Sequence, residues 1–183
     1  MVKKNISFSI PLSGNTLKFS KEVTAKLKKK FLINFIDNKK SRPHINLFSG
    51  STNRPEAIIK TMKKKIKPVF NERIKLLGFG SFLSRFPTIF LRFESSDFLK
   101  YLRDVIFHRS NLWKNIDIGV KDNIWIPKST LVHSDMKVNQ MSEVVKFLNS
   151  LVVPQIMKIE EISIIDFTKK EFEIDNFNIK KIK

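Results

Sequence analysis

Four residues in this chain could bring proton-transferring and hydrogen-bonding groups to one cleft, and they come in two pairs. His44 and Asn46 lie within Arg42, Pro43, His44, Ile45, Asn46, Leu47, Phe48, Ser49, Gly50. Lys128 and Thr130 lie within Trp125, Ile126, Pro127, Lys128, Ser129, Thr130, Leu131, Val132. Each pair follows a proline and precedes a leucine. On a β-strand, residues i and i+2 point to the same face. Two such strands facing one another would bring an imidazole, an amide, an ammonium and a hydroxyl to one cleft. Those groups suit an anion: the ammonium and amide donate, and the imidazole can also accept a proton near neutrality.

Charge points the same way. The chain has 35 Lys+Arg against 17 Asp+Glu, a net charge of +18. Such a balance attracts polyanions, and RNA is the partner expected first. There are no cysteines, so disulfides, thiolate metal sites and cysteine nucleophiles are excluded. No apolar run reaches membrane-spanning length, and the N-terminus lacks the apolar core of a signal peptide. The expected protein is therefore intracellular (cytoplasmic), without a membrane partner.

The elements that must position the two pairs can be read from periodicity. Ile6–Pro11 alternates as a strand. Ser20 precedes a helix with Val23, Leu27, Phe31 and Phe35 on one face and lysines on the other. The first motif strand spans about Pro43–Phe48. Asn53 caps a helix with Pro55 in its first turn and Ile58, Met62, Ile66 and Val69 as its stripe. Arg73–Gly80 and Thr88–Phe93 form two strands. Asp97 opens a helix with Phe98, Leu102, Val105 and Ile106 inside. The second motif strand spans about Trp125–Val132. A helix carries Met141, Val144, Val145 and Leu148, and residues 159–179 supply two closing strands. The order β-α-β-α-β-β-α-β-α-β-β has no linker, so residues 1–183 read as a single α+β domain.

These motifs resemble those of the two-histidine (2H) phosphoesterases, which include the 2'-5' RNA ligase and RNA 2',3'-cyclic phosphodiesterase proteins. The first stretch is similar to that family's His-apolar-Thr/Ser-apolar motif. The second is similar to its Trp-x-Pro-His-x-Thr-Leu motif. Leu76–Phe82 with Phe86–Leu91 resembles its intervening hairpin. The resemblance runs from about Ile6 to Phe167. It implies a bilobal, pseudo-twofold fold of two antiparallel sheets flanked by helices, with both motifs in a central cleft. It also implies a monomer acting on RNA ends or oligonucleotides without cofactor or metal.

Two positions depart from the pattern. Asn46 replaces a hydroxyl, and its amide can still donate to a phosphate oxygen. Lys128 replaces the second histidine. A lysine titrating near about 10.4 is a poor proton donor unless its environment lowers that value. Two readings follow: a phosphodiesterase with His44 as acid/base and Lys128 as phosphate clamp or substitute acid, or a degenerate site that binds RNA or nucleotide without hydrolysis.

Three further residues are expected to touch substrate. Arg42 can fork onto a phosphate. Phe79, with Phe82 and Phe86, can stack a base. His133 follows the second motif; in a regular strand it points away from Lys128 and Thr130, whereas a bulge after Leu131 would redirect it. His108 is expected near the C-terminus of its helix, with a dipole role rather than a catalytic one.

Overall fold

The computed structural model describes residues 3–35, 42–66, 72–84, 87–107, 115–116, 125–168 and 172–178. His108, Phe86 and Val69 lie outside them. The strands are β1 (Lys4–Pro11), β2 (His44–Thr52), β3 (Arg73–Phe82), β4 (Thr88–Phe93), β5 (Asn115–Ile116), β6 (Lys128–His133), β7 (Ile156–Lys158), β8 (Glu161–Asp166) and β9 (Phe172–Asn178). The helices are α1 (Gly14–Phe31), α2 (Pro55–Lys65), α3 (Asp97–Phe107) and α4 (Met141–Asn149).

The strands form two sheets. One has five strands in the order β5-β2-β1-β8-β9, and the other has four in the order β6-β4-β3-β7. Their pairings are antiparallel. The first motif strand, β2, belongs to the five-stranded sheet (lobe 1). The second, β6, is an edge strand of the four-stranded sheet (lobe 2). This is the α+β, two-lobed arrangement expected.

Alternation decides what each sheet buries. In β1, Ile6, Phe8 and Ile10 are fully buried in the apolar core, as are Ile45 and Leu47 of β2. In lobe 2 the matching residues are Ile89, Leu91, Phe93 and Val132. Helix stripes add Val23 and Leu27 of α1, Ile58 and Met62 of α2, Leu99, Leu102 and Ile106 of α3, and Val144 and Leu148 of α4. The residues between the buried ones on each strand occupy the opposite sheet face, which carries His44, Asn46, Lys128 and Thr130.

Some boundaries differ from the sequence reading. α1 starts at Gly14, so Ser20 lies inside the helix, and Phe35 lies beyond its end. Thr16 and Ser20 are buried on the same stripe as Val23 and Leu27. Arg54, not Asn53, is the N-cap residue of α2, and no side chain caps it. β6 begins at Lys128 rather than Trp125, and β5 and β7 were not anticipated.

Candidate active site in the central cleft

The register of β1 and β2 sets the lobe 1 half. Pro11, Ser9 and Ser7 pair with His44, Asn46 and Ser49. Cross-strand partners share a sheet face, so His44, Asn46 and Ser49 stand together. The odd spacing from Asn46 to Ser49 is made possible by a bulge: Phe8 pairs with Phe48 and Ser9 with Asn46, leaving Leu47 as the extra residue. The consequence is a hydrogen bond from Asn46 Nδ2 to Ser49 Oγ at 2.7 Å. On its other side Asn46 Oδ1 accepts from Ser7 Oγ at 3.2 Å, and Ser7 and Ser9 share a hydroxyl–hydroxyl bond of 2.7 Å. Ser7 and Ser9 are fully buried. Asn46 is thus held on both sides by serine hydroxyls.

His44 is anchored through its ring. Its Nδ1 lies 2.8 Å from the carbonyl oxygen of Arg42. A carbonyl only accepts, so Nδ1 carries the proton and the neutral ring's lone pair sits on Nε2.

Lobe 2 is built in the same way. Arg92, Phe90 and Thr88 of β4 pair with Lys128, Thr130 and His133 of β6. Ile89 pairs with Val132 and Phe90 with Thr130, so Leu131 is a bulge residue. Because Thr88, Phe90 and Arg92 alternate regularly, Lys128, Thr130 and His133 share one face. The Lys128 ammonium lies 5.6 Å from the Phe82 ring centre and 5.7 Å from that of Phe90, within cation–π range. Burial pushes the Lys128 ammonium below the ordinary lysine range, because a charge is poorly solvated there.

The halves meet. β2 and β6 belong to different sheets, yet their Cα atoms approach within 8 Å. The indole Nε1 of Trp125, just ahead of β6, donates to the carbonyl oxygen of Asn46 at 3.3 Å. On the same indole, the Arg103 guanidinium carbon lies 5.2 Å from the ring centre.

No family model matches the chain, and no curated protein matches it. Solved structures do. Escherichia coli LigT complexed with 3'-AMP is 11% identical with a TM-score of 0.55, over 97% of this chain and 99% of that one. TT0787 of Thermus thermophilus is 12% identical with a TM-score of 0.64, over 98% and 100%. A phosphoesterase crystal structure is 10% identical with a TM-score of 0.55, over 98% and 100%. LigT has also been solved with ATP and with phosphate. The chain has the 2H phosphoesterase fold.

Within this 2H phosphoesterase fold the expected site residues separate into groups. His44 and Asn46 lie on β2, and Lys128 and Thr130 on β6, with the two strands adjoining. His133 shares the Lys128 face, so the regular-strand expectation for it is corrected by the Leu131 bulge. Its Nδ1 is 2.9 Å from Thr88 Oγ1, and the Phe35 ring stands edge-on to it with centroids 5.8 Å apart. Arg42 is engaged by the protein itself: Nη1 pairs with Glu161 Oε1, and Nη2 donates to Ser163 Oγ at 3.1 Å. Those bonds tie the Arg42 guanidinium to β8.

Phe79 falls on the wrong face for stacking. Leu77 is an extra residue between Leu76, paired with Phe93, and Gly78, paired with Arg92. Gly78, Gly80 and Phe82 therefore take the Lys128 side, and Phe79 takes the other. Its ring meets Phe19 of α1 with centroids 6.0 Å apart. Phe82 is the aromatic residue of β3 on the site face, 40% exposed and 4.8 Å from Phe90 between ring centres. Ser7, Ser9, Thr88, Phe90 and Arg103 were missed in the sequence. Ser7 and Ser9 had a usable signal, since both alternate with the buried residues of β1.

Proposed function

We propose that the chain belongs to the 2H phosphoesterase superfamily and hydrolyses phosphodiesters at RNA ends or in short oligonucleotides, with a 2',3'-cyclic phosphate as the simplest substrate. The observation that carries this reading is the junction of the two motif strands through Trp125 and Asn46, with His44 on one strand and Lys128 and Thr130 on the other. The nucleotide and phosphate complexes of LigT support a nucleotide ligand for this chain as well.

In this reading Thr130 Oγ1, Asn46 Nδ2 and Lys128 Nζ hold the non-bridging phosphate oxygens. Water attacks phosphorus and its proton passes to Nε2 of His44. The bond from phosphorus to one ribose oxygen breaks, and that oxygen takes a proton from Lys128 Nζ. A phosphomonoester results. His44 then loses its proton to solvent and Lys128 regains one, restoring the starting state. Burial suits Lys128 to this task, since a lowered pKa makes an ammonium a better acid. Before any proton moves, the same charge offsets the negative charge that grows on the phosphoryl group.

Lys128 at the position of a histidine favours one competing reading, a cleft that binds nucleotides without turning them over. A single experiment separates the two. Purified protein is incubated in chelator-containing buffer with adenosine 2',3'-cyclic phosphate, cyclic-phosphate-ended RNA and 2'-5' oligoadenylate, and products are resolved by chromatography. Hydrolysis of any of these, lost in His44→Ala, supports the enzyme. No hydrolysis by the wild type, with activity appearing in Lys128→His, supports the binding protein.

A further inference from the structure

The site face of lobe 2 extends well past Lys128. Lys128 and His133 stand on the same face of β6, opposite Arg92 and Thr88 on β4, roughly 13 Å apart along the strand. The space between them is only partly covered, since Phe82 there is 40% exposed. Phe90 is buried but stands outside the main apolar cluster, whereas Ile89 and Leu91 beside it are members. The face presents Thr130 next to Lys128, then the partly exposed ring of Phe82, which pairs across β3 and β4 with Thr88. Thr88 in turn pairs with and bonds to His133.

His133 is held and yet accessible. Its ring bonds to the Thr88 hydroxyl and meets the Phe35 ring in a T-shaped contact, while the residue as a whole is exposed. The chain leaves the strand immediately afterwards through Ser134, a non-glycine residue at φ 64°. Left-handed backbone is costly for a residue with a Cβ and persists only where surrounding structure enforces it. The bulge at Leu131 and the turn at Ser134 together leave the imidazole at the end of the face.

We propose that His133 and Thr88, with Phe82, form a second subsite that takes the nucleotide flanking the phosphate held at Lys128. The ligand class is then an oligonucleotide of two or more residues rather than a mononucleotide. This inference rests on the phosphate position proposed above. Phe82 stacks the base, which any nucleobase can satisfy through its π face. The His133 ring, oriented by the buried Thr88 hydroxyl, hydrogen-bonds the adjoining ribose or phosphate. Lys128 and His133 thus mark the two ends of one bound strand.

The test is equilibrium binding of 3'-phosphorylated oligoadenylates of one to four residues, read by competition against a fluorescently labelled tetramer. Affinity should rise about tenfold from 3'-AMP to the trimer, within what stacking of one base supplies. His133→Ala and Phe82→Ala should each lower trimer affinity at least about fivefold more than 3'-AMP affinity. His133→Gln should recover part of the His133→Ala loss. Equal affinity at all lengths, or equal losses at all lengths, overturns the subsite. Length-dependent, His133-dependent binding without turnover leaves the subsite standing and removes the enzymatic reading. Turnover without length dependence does the reverse.

Discussion

Leu47 and Leu131 are the extra residues of two bulges that fall at the same step of two strands in different sheets. Each follows the second polar residue of its pair, Asn46 in one lobe and Thr130 in the other. Each bulge also turns a residue that would otherwise face the core, Ser49 or His133, onto the site face. The lobes therefore match in backbone as well as in residue pattern. Where they differ is in chemistry: a histidine opens one strand and closes the other.

The tautomer of His44 gives the sharpest test of its role. Asparagine can keep a donor near the Arg42 carbonyl while removing Nε2. His44→Asn should leave unfolding free energy within about 0.5 kcal/mol of wild type. Turnover of a cyclic phosphate should fall by about 10²–10⁴-fold, the usual contribution of a general acid–base group. Chemical denaturation and initial rates on the same preparation check both halves.

Lys128 should trade stability for affinity. A half-buried ammonium without a carboxylate among its described contacts opposes folding through lost hydration, and the two rings offset this only partly. Lys128→Met should raise Tm by about 2–4 °C, the shift expected for roughly 1 kcal/mol in a chain of this size. It should weaken phosphate binding at least about tenfold, since charge-assisted bonds are lost.

The same lysine sets a pH dependence. Its folded pKa lies below its unfolded value, so between the two the unfolded chain binds more protons. Stability due to this group therefore rises with pH across that window, up to about 10.4. The Tm advantage of Lys128→Met should be largest on the acidic side of the window and shrink as pH rises through it. Calorimetry of both proteins in a pH series measures the difference. An advantage that grew with pH would rule out burial as the cause.

Gly80 makes room for Phe90. A Cβ at Gly80 would collide with the Phe90 ring atoms Cε2 and Cζ, and that ring contacts both Phe82 and Lys128. Gly80→Ala should destabilise by about 1–3 kcal/mol, as overpacking does, and lower phosphate affinity by shifting Lys128. Adding Phe90→Leu should recover part of both losses, giving a coupling energy in a double-mutant cycle.

Trp125 ties the halves by one N–H bond. Trp125→Phe keeps a ring for Arg103 and deletes the donor to Asn46. The expected stability loss is small, about 0.5–1 kcal/mol. The expected loss in kcat/KM is larger, about tenfold, because reacting groups on separate lobes must hold their relative positions. Denaturant melts and steady-state kinetics on the two proteins measure each.

Much of this architecture was legible in the sequence, for reasons that differ by element. Ile6, Phe8 and Ile10 alternate, and Ile58 and Met62 repeat at helical spacing, because each element must bury one face. His44 and Lys128 stood out because their flanking prolines and leucines repeat. What escaped depends on partners distant in the chain. The face taken by His133 follows from its register against Thr88. The exchange of Phe79 for Phe82 follows from the bulge at Leu77. Ser20 looked like a cap because serines favour helix starts, but packing of α1 on the sheet gave it a buried position instead.

The central position of β1, between β2 and β8, orders events during synthesis. Lobe 2 draws its four strands from residues 73–158, one continuous stretch, so its sheet can pair as soon as that stretch has left the ribosome. Lobe 1 is completed last: Ser7 pairs with Ile165 and Ser9 with Ser163, contacts between opposite ends of this sequence. Non-local pairings of this kind are slow to close. The β1–β2 pair that carries His44 can form early, but its sheet is completed by β8 only after lobe 2 has emerged, so a nascent chain can present the Lys128 face to nucleic acid while β1 still has one open edge.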